Sequence, residues 1–133
     1  MKPILRSVLA LLTIFTCCLA GVPDEVRQNL DQLVPETIRL LEANEYATVL
    51  ETLVRPDEFK KFIGDGQLAE AAEQFGKNAA ARLLELMKVV KDLKPTLSED
   101  GIVATFDIPQ KNSETHTKPM IFTKIDGKWF LNN

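Results

Sequence analysis

Cysteine occurs in this chain only at Cys17 and Cys18, so from Gly21 onward there is no thiol for a disulfide, a thiolate metal ligand or a nucleophile. Histidine is equally scarce, with His116 standing alone beside Glu114, Thr115, Thr117 and Lys118, and a single imidazole in a polar stretch reads as a solvated side chain. No Gly-x-Ser-x-Gly elbow is present, and Ser98 and Ser113 sit in turn-like sequence. Gly64-Asp65-Gly66 lacks the further glycine and the lysine-serine pair of a phosphate cradle and reads as a turn. Without an Asp-x-Asp-x-Asp-Gly loop, the remaining carboxylates are too scattered to nominate a metal site. These absences nominate no catalytic residue, no metal and no cofactor.

Long apolar runs are missing as well. The longest, Val8 to Ala20, covers about 20 Å as a helix against a hydrocarbon core of about 30 Å. With Lys2 and Arg6 ahead of it and Cys18-Leu19-Ala20 behind, residues 1–20 read as a secretory signal peptide cleaved before Gly21. Two alternatives stay open, an uncleaved anchor and lipidation at Cys17 or Cys18. Thr16 and Cys17 are poor residues to precede a lipidated cysteine, which disfavours the second. The expected destination is the periplasm or the extracellular space, with no membrane span after cleavage. Removing Lys2 and Arg6 from the 16 basic residues leaves 14 against 19 acidic ones, a net charge of −5 that disfavours nucleic acid and anionic lipid as principal partners.

What is present is a globular pattern, 45% hydrophobic and 26% charged, expected to form one α+β domain over 21–133. Leu68, Ala72, Phe75, Ala79, Leu83, Leu86, Val90 and Leu93 recur at steps of three and four, predicting one long helix over about 66–93 with Asp65 as its N-cap. Earlier helices are expected from Pro23 to Val34, from a restart at Pro35 to Ala43 with Asn44 as the stop, from Glu45 to Val54, and from Pro56 to Ile63. From Ile102 the period becomes two. Ile102, Ala104, Phe106 and Ile108 share one face of a strand, with Val103, Thr105 and Asp107 on the other, and Pro109 is expected to end it. A polar loop should follow from Gln110 to Thr117. Lys118–Ile125 and Lys128–Leu131 then predict a hairpin on Asp126-Gly127, with Lys124 facing Trp129 and Phe122 facing Leu131. The expected whole is N-terminal helices packed on a C-terminal antiparallel sheet of about three strands. The second sheet face, half apolar, is left for another chain, a ligand or solvent.

Helices followed by a meander ending in Ile125-Asp126-Gly127-Lys128-Trp129-Phe130 resemble the NTF2-like superfamily, the cystatin-like α+β cone, and in particular its exported bacterial members of unassigned function. Leu40-Leu41-Glu42-Ala43-Asn44-Glu45-Tyr46 is similar to the helical turn near the start of such domains. The chain departs from that pattern in having fewer strands and none between the early helices, and it matches no active-site motif of the family. The resemblance implies a concave sheet that Tyr46, Asp107, Lys124 and Trp129 could line as a ligand-binding set. Each also has a plainer role, Tyr46 and Trp129 in packing, Lys124 over the indole, and Asp107 in solvent. The function expected is non-enzymatic binding of a small molecule or protein partner, a homodimer included. The alternative is a small NTF2-like enzyme with a carboxylate or His116 as acid or base in an apolar pocket.

Overall fold

A computed structural model describes residues 21–63, 66–110 and 113–132. The leader expected at 1–20, the N-cap expected at Asp65 and the side chain of His116 lie outside the described residues. The fold is α+β: helices α1 (Asp24–Arg27), α2 (Leu30–Glu42), α3 (Tyr46–Leu53), α4 (Pro56–Glu58, continued by a π-helical turn Phe59–Ile63), α5 (Leu68–Asn78) and α6 (Ala80–Val90) precede strands β1 (Thr96–Leu97), β2 (Val103–Gln110), β3 (Ser113–Ile125) and β4 (Lys128–Asn132). The four strands form one antiparallel sheet in sequence order.

Pro35 does not restart a helix. It lies inside α2, on the exposed side, where the Asp31 carbonyl that loses its partner can be hydrated instead. The opposite side of α2 supplies Leu33, Val34, Leu40 and Leu41 to the core, together with Thr37, whose hydroxyl donates to the Leu33 carbonyl at 2.8 Å. The helix closes at Asn44 as its sequence suggests. Asn44 takes φ +60°, its N–H bonds the Leu41 carbonyl, and the Glu45 N–H reaches back to Leu40, the paired bonds of a Schellman end.

The apolar stripe from Leu68 to Leu93 is divided between two helices. Ala79, at φ −133°, interrupts the helical path and turns the second half about its axis, so Ala80, Met87 and Val90 are the residues buried there. This break lets α5 pack on α3 while α6 packs on α2 and β2. The α5–α3 contact is close. The Tyr46 ring meets Phe75 edge-on at 5.8 Å and comes so close to Gly76 that an added Cβ would fall 2.6 Å from a ring carbon.

Proline explains the second departure. The odd-numbered residues of β2 point their backbone groups toward β1, as the Ser98 N–H to Val103 carbonyl bond shows. β1 reaches only Thr105, so Pro109 faces an open edge and loses no ladder bond by lacking an N–H. The strand therefore runs on to Gln110, and β3 begins at Ser113 rather than Lys118. Pro119 occupies the matching place on β3, just beyond the end of β4. β1 adds a fourth strand to the three expected. The terminal hairpin has the expected register, Lys124 opposite Trp129 and Phe122 opposite Leu131, with Asp126 at φ +50° and Gly127 at φ +80°.

Ala104, Phe106, Ile108, Met120, Phe122 and Trp129 form the inner face of the sheet and join Leu33, Leu40, Val49, Leu53, Met87 and Val90 in one buried cluster. Phe106 and Phe122 meet edge-to-face at 5.8 Å. At the α5–α3 contact, Gly76→Ala is expected to lower stability by about 1 kcal/mol, the overpacking cost of about 1–3 kcal/mol exceeding the helix-propensity gain of about 1. In a Tyr46→Ala background the same change should stabilise. Urea unfolding of the four-member cycle measures both signs.

Candidate functional site

The pairing register sorts every sheet residue to one face. On the outer face one row runs Thr96, Thr105, Ile121, Asn132 and the next Val103, Thr123, Phe130, with Asp107 beside Pro119 at one end and Ile125 beside Lys128 at the other. Val103, Thr105, Ile121, Thr123 and Ile125 are half-buried, and all five are β-branched. Such side chains are stiff and present a pleated surface that costs little entropy to cover. Among the described residues the charged groups of this face lie at its margins: Asp107 is exposed on β2, Lys128 on β4 pairs with Asp24 at 3.3 Å, and Arg27 lies over Phe130 of β4.

At the β4 margin the sheet is closed by the start of the chain. Trp129 Nε1 donates to the Gln28 carbonyl at 3.1 Å, bridging residues 101 apart. The Arg27 guanidinium lies 5.1 Å from the centre of the Phe130 ring and donates to the Thr52 carbonyl at 3.1 Å. Burial pushes the Arg27 pKa below its ordinary value and Asp24 opposes that shift. Arg27 thus ties α1 to α3 and β4 and covers Phe130, which is 5% exposed although it points to the outer side. Sequence reading did not single out Arg27, and no local spacing marks it, because its partners lie 25 and 103 residues away.

Of the four residues proposed from the family resemblance, the sheet brings together Lys124 and Trp129, with Nζ 5.6 Å from the indole centre. They lie on the inner-face register. Asp107 lies on the outer face, and Tyr46 belongs to the α3–α5 contact, its hydroxyl donating to Asn44 Oδ1 at 2.7 Å. A separate shallow groove of about 330 Å3 is lined by Ile63, Gln67, Glu70, Ala71 and Gln74, open to solvent beside the π-helical turn. Among the described residues no group of three or more His, Cys, Asp or Glu side chains could hold a metal ion, and no helix is long and apolar enough to cross a membrane. Compared with protein-family models, curated proteins and solved structures, the chain matches none.

The β1–β2 turn beside the outer face is held by charge. Ser98 Oγ donates to Asp100 Oδ1 at 2.5 Å and accepts the Val103 N–H at 3.1 Å, while the Ile102 N–H reaches the same carboxylate at 3.4 Å. The serine bond first and the backbone bond second hold the Asp100 pKa below the usual carboxylate value. A depressed folded-state pKa stabilises the fold above the unfolded-state value, and the contribution disappears as pH falls through the folded-state value. NMR titration should therefore find Asp100 among the lower carboxylates, and Ser98→Ala should move it upward. The stabilities of wild type and Asp100→Asn should converge at acid pH and separate above about pH 4.

Proposed function

We propose that this chain is an exported, non-enzymatic binding domain of NTF2-like character, and that the outer face of its sheet is the binding surface. The observation that carries this reading is the pairing of one face packed on α2 and α6 with another whose five β-branched side chains stay half-exposed and bear no charge at their centre. A sheet that needed only to be solvated would alternate toward charged and polar side chains on that face. The basic head, short apolar run and small residues of positions 1–20 support export. Helices laid on an antiparallel meander that ends in the Asp126-Gly127 hairpin support the family resemblance.

Binding here would work by shape and area. The strands hold Val103, Ile121 and Ile125 in fixed relative positions, Thr105 and Thr123 add hydroxyls between them, and the partner displaces water from a surface already ordered. No proton transfer is required, so His116→Ala should leave binding unchanged.

The test is native mass spectrometry of protein recovered from its own host, beside an Ile121→Lys variant shown by circular dichroism to be folded. A mass increment on the wild type that disappears in Ile121→Lys is the expected result. An increment that survives the substitution would move the binding surface elsewhere. A chain that stays inside the host cell with residues 1–20 still attached would contradict the export reading.

A further inference from the structure

We infer that the Asp24–Gln28 segment is a latch over the β4 end of the outer face, one that opens about Asn29 while the rest of the fold stays intact and so admits a partner to Phe130. The inference rests on the reading of that face as a binding surface and adds what regulates it.

The row Val103, Thr123, Phe130 crosses three strands of the outer face, and its members are not equally available. Val103 and Thr123 are half-buried, whereas Phe130 is 5% exposed, and the group over its ring is the Arg27 guanidinium. The β-branched face therefore does not end at β3. It continues to an aromatic ring that the chain's own N-terminal segment conceals. A partner laid on the face as it stands reaches β2 and β3, and one that also displaces the latch gains the ring, the largest apolar side chain on that side among the described residues.

The segment is held in a way that permits opening. Its backbone hydrogen bonds, from Pro23 to Asn29, stay within the segment or pass to the start of α2, and among the described residues none joins it to β4. No residue of α1 is buried: Asp24 and Glu25 are exposed, and Val26 and Arg27 are half-buried. Val22, half-buried against the core, is its apolar anchor. Side chains make the remaining contacts: the exposed Asp24 with Lys128 at 3.3 Å, Trp129 Nε1 on the Gln28 carbonyl at 3.1 Å, and Arg27 between the Thr52 carbonyl and the Phe130 ring. Arg27 itself is imperfectly satisfied when closed. Its Nε is buried without a hydrogen-bond partner among the described residues, and burial disfavours the charged guanidinium, with Asp24 opposing that effect. Opening would hydrate it. Asn29 supplies the hinge, extended at φ −125° and ψ 117° between the two helices, with no side-chain cap bond tying it to the first turn of α2. Little buried apolar surface and an exposed backbone mark a unit that opens before the rest of the chain. The closed form is the ground state, so a partner that needs Phe130 binds with an affinity reduced in proportion to the fraction of open molecules.

Trp129 is the chain's single tryptophan, so its indole N–H gives one NMR signal that reports the bond to Gln28. Native-state hydrogen exchange in increasing urea should find that N–H opening about 100-fold or more as often as the backbone N–H of Phe122, and with little dependence on urea. Exchange of both through one urea-dependent event would overturn the latch and leave the binding face as it was. Nile red, a neutral apolar dye, tests the link to that face. Arg27→Ala, shown by circular dichroism to be folded, should bind the dye about threefold or more tighter than the wild type, and the milder Arg27→Lys should lie between them. Adding Ile121→Lys should abolish the gain, because latch and face form one surface. Arginine variants no tighter than the wild type, or a gain that survives Ile121→Lys, would overturn the inference while the binding face stands. If Ile121→Lys alone leaves dye binding of the wild type unchanged, the binding face fails and the inference fails with it.

Discussion

The contact of Phe122 with its surroundings is the constraint on which the rest of the structure depends. Phe122 is wholly buried on the central strand β3, edge-on to Phe106 and in one cluster with Leu33 of α2 and Met87 of α6, both also wholly buried. Because strand side chains alternate, placing Phe122 inward also places Met120 inward and turns Ile121 and Thr123 outward. The burial that holds helices to sheet thereby defines the opposite, uncovered face. A slip of one residue in β3 would expose Phe122 and bury Thr123, so the apolar pattern fixes the register.

The second constraint is long-range closure. Trp129 and Phe130 are adjacent on β4 and point to opposite sides, yet both are buried, because the Asp24–Gln28 segment reaches the strand from outside. The indole N–H finds a carbonyl at Gln28 and the ring of Phe130 finds the guanidinium of Arg27. The same segment protects the β4 edge from pairing with another chain. Its hydrogen bonds satisfy groups that burial would otherwise leave unpaired, which matters more to stability than their modest net energies suggest.

How much of this was legible in the residues depended on how local the cause is. Asn44 as a helix stop, the Asp126-Gly127 turn and the Lys124–Trp129 pairing follow from dihedral preferences and a period of two, and the structure has them. The stripe from Leu68 to Leu93 was visible, but its break was not, since Ala79 and Ala80 are equally good helix formers and no local residue marks the turn. Pro35 and Pro109 misled for one reason. A proline is excluded where its missing N–H or its ring has a cost, and whether it has one depends on exposure and on which neighbour strand ends first, neither of which the sequence states. Of the four candidate site residues, only the cross-strand pair was set by local register. Tyr46 and Asp107 belong to other surfaces, and Arg27 acts through partners that only the folded chain brings near.

The account comes down to a sheet with one sealed face and one available face. Thiol labelling measures that directly, using protein with Cys17 and Cys18 replaced by serine and a single cysteine placed at position 123 or at position 104. In dilute solution Thr123→Cys should react at nearly the rate of a free thiol, and Ala104→Cys should react only as fast as the protein unfolds. Protection of position 123 equal to that of position 104, or rapid labelling of both, would contradict it.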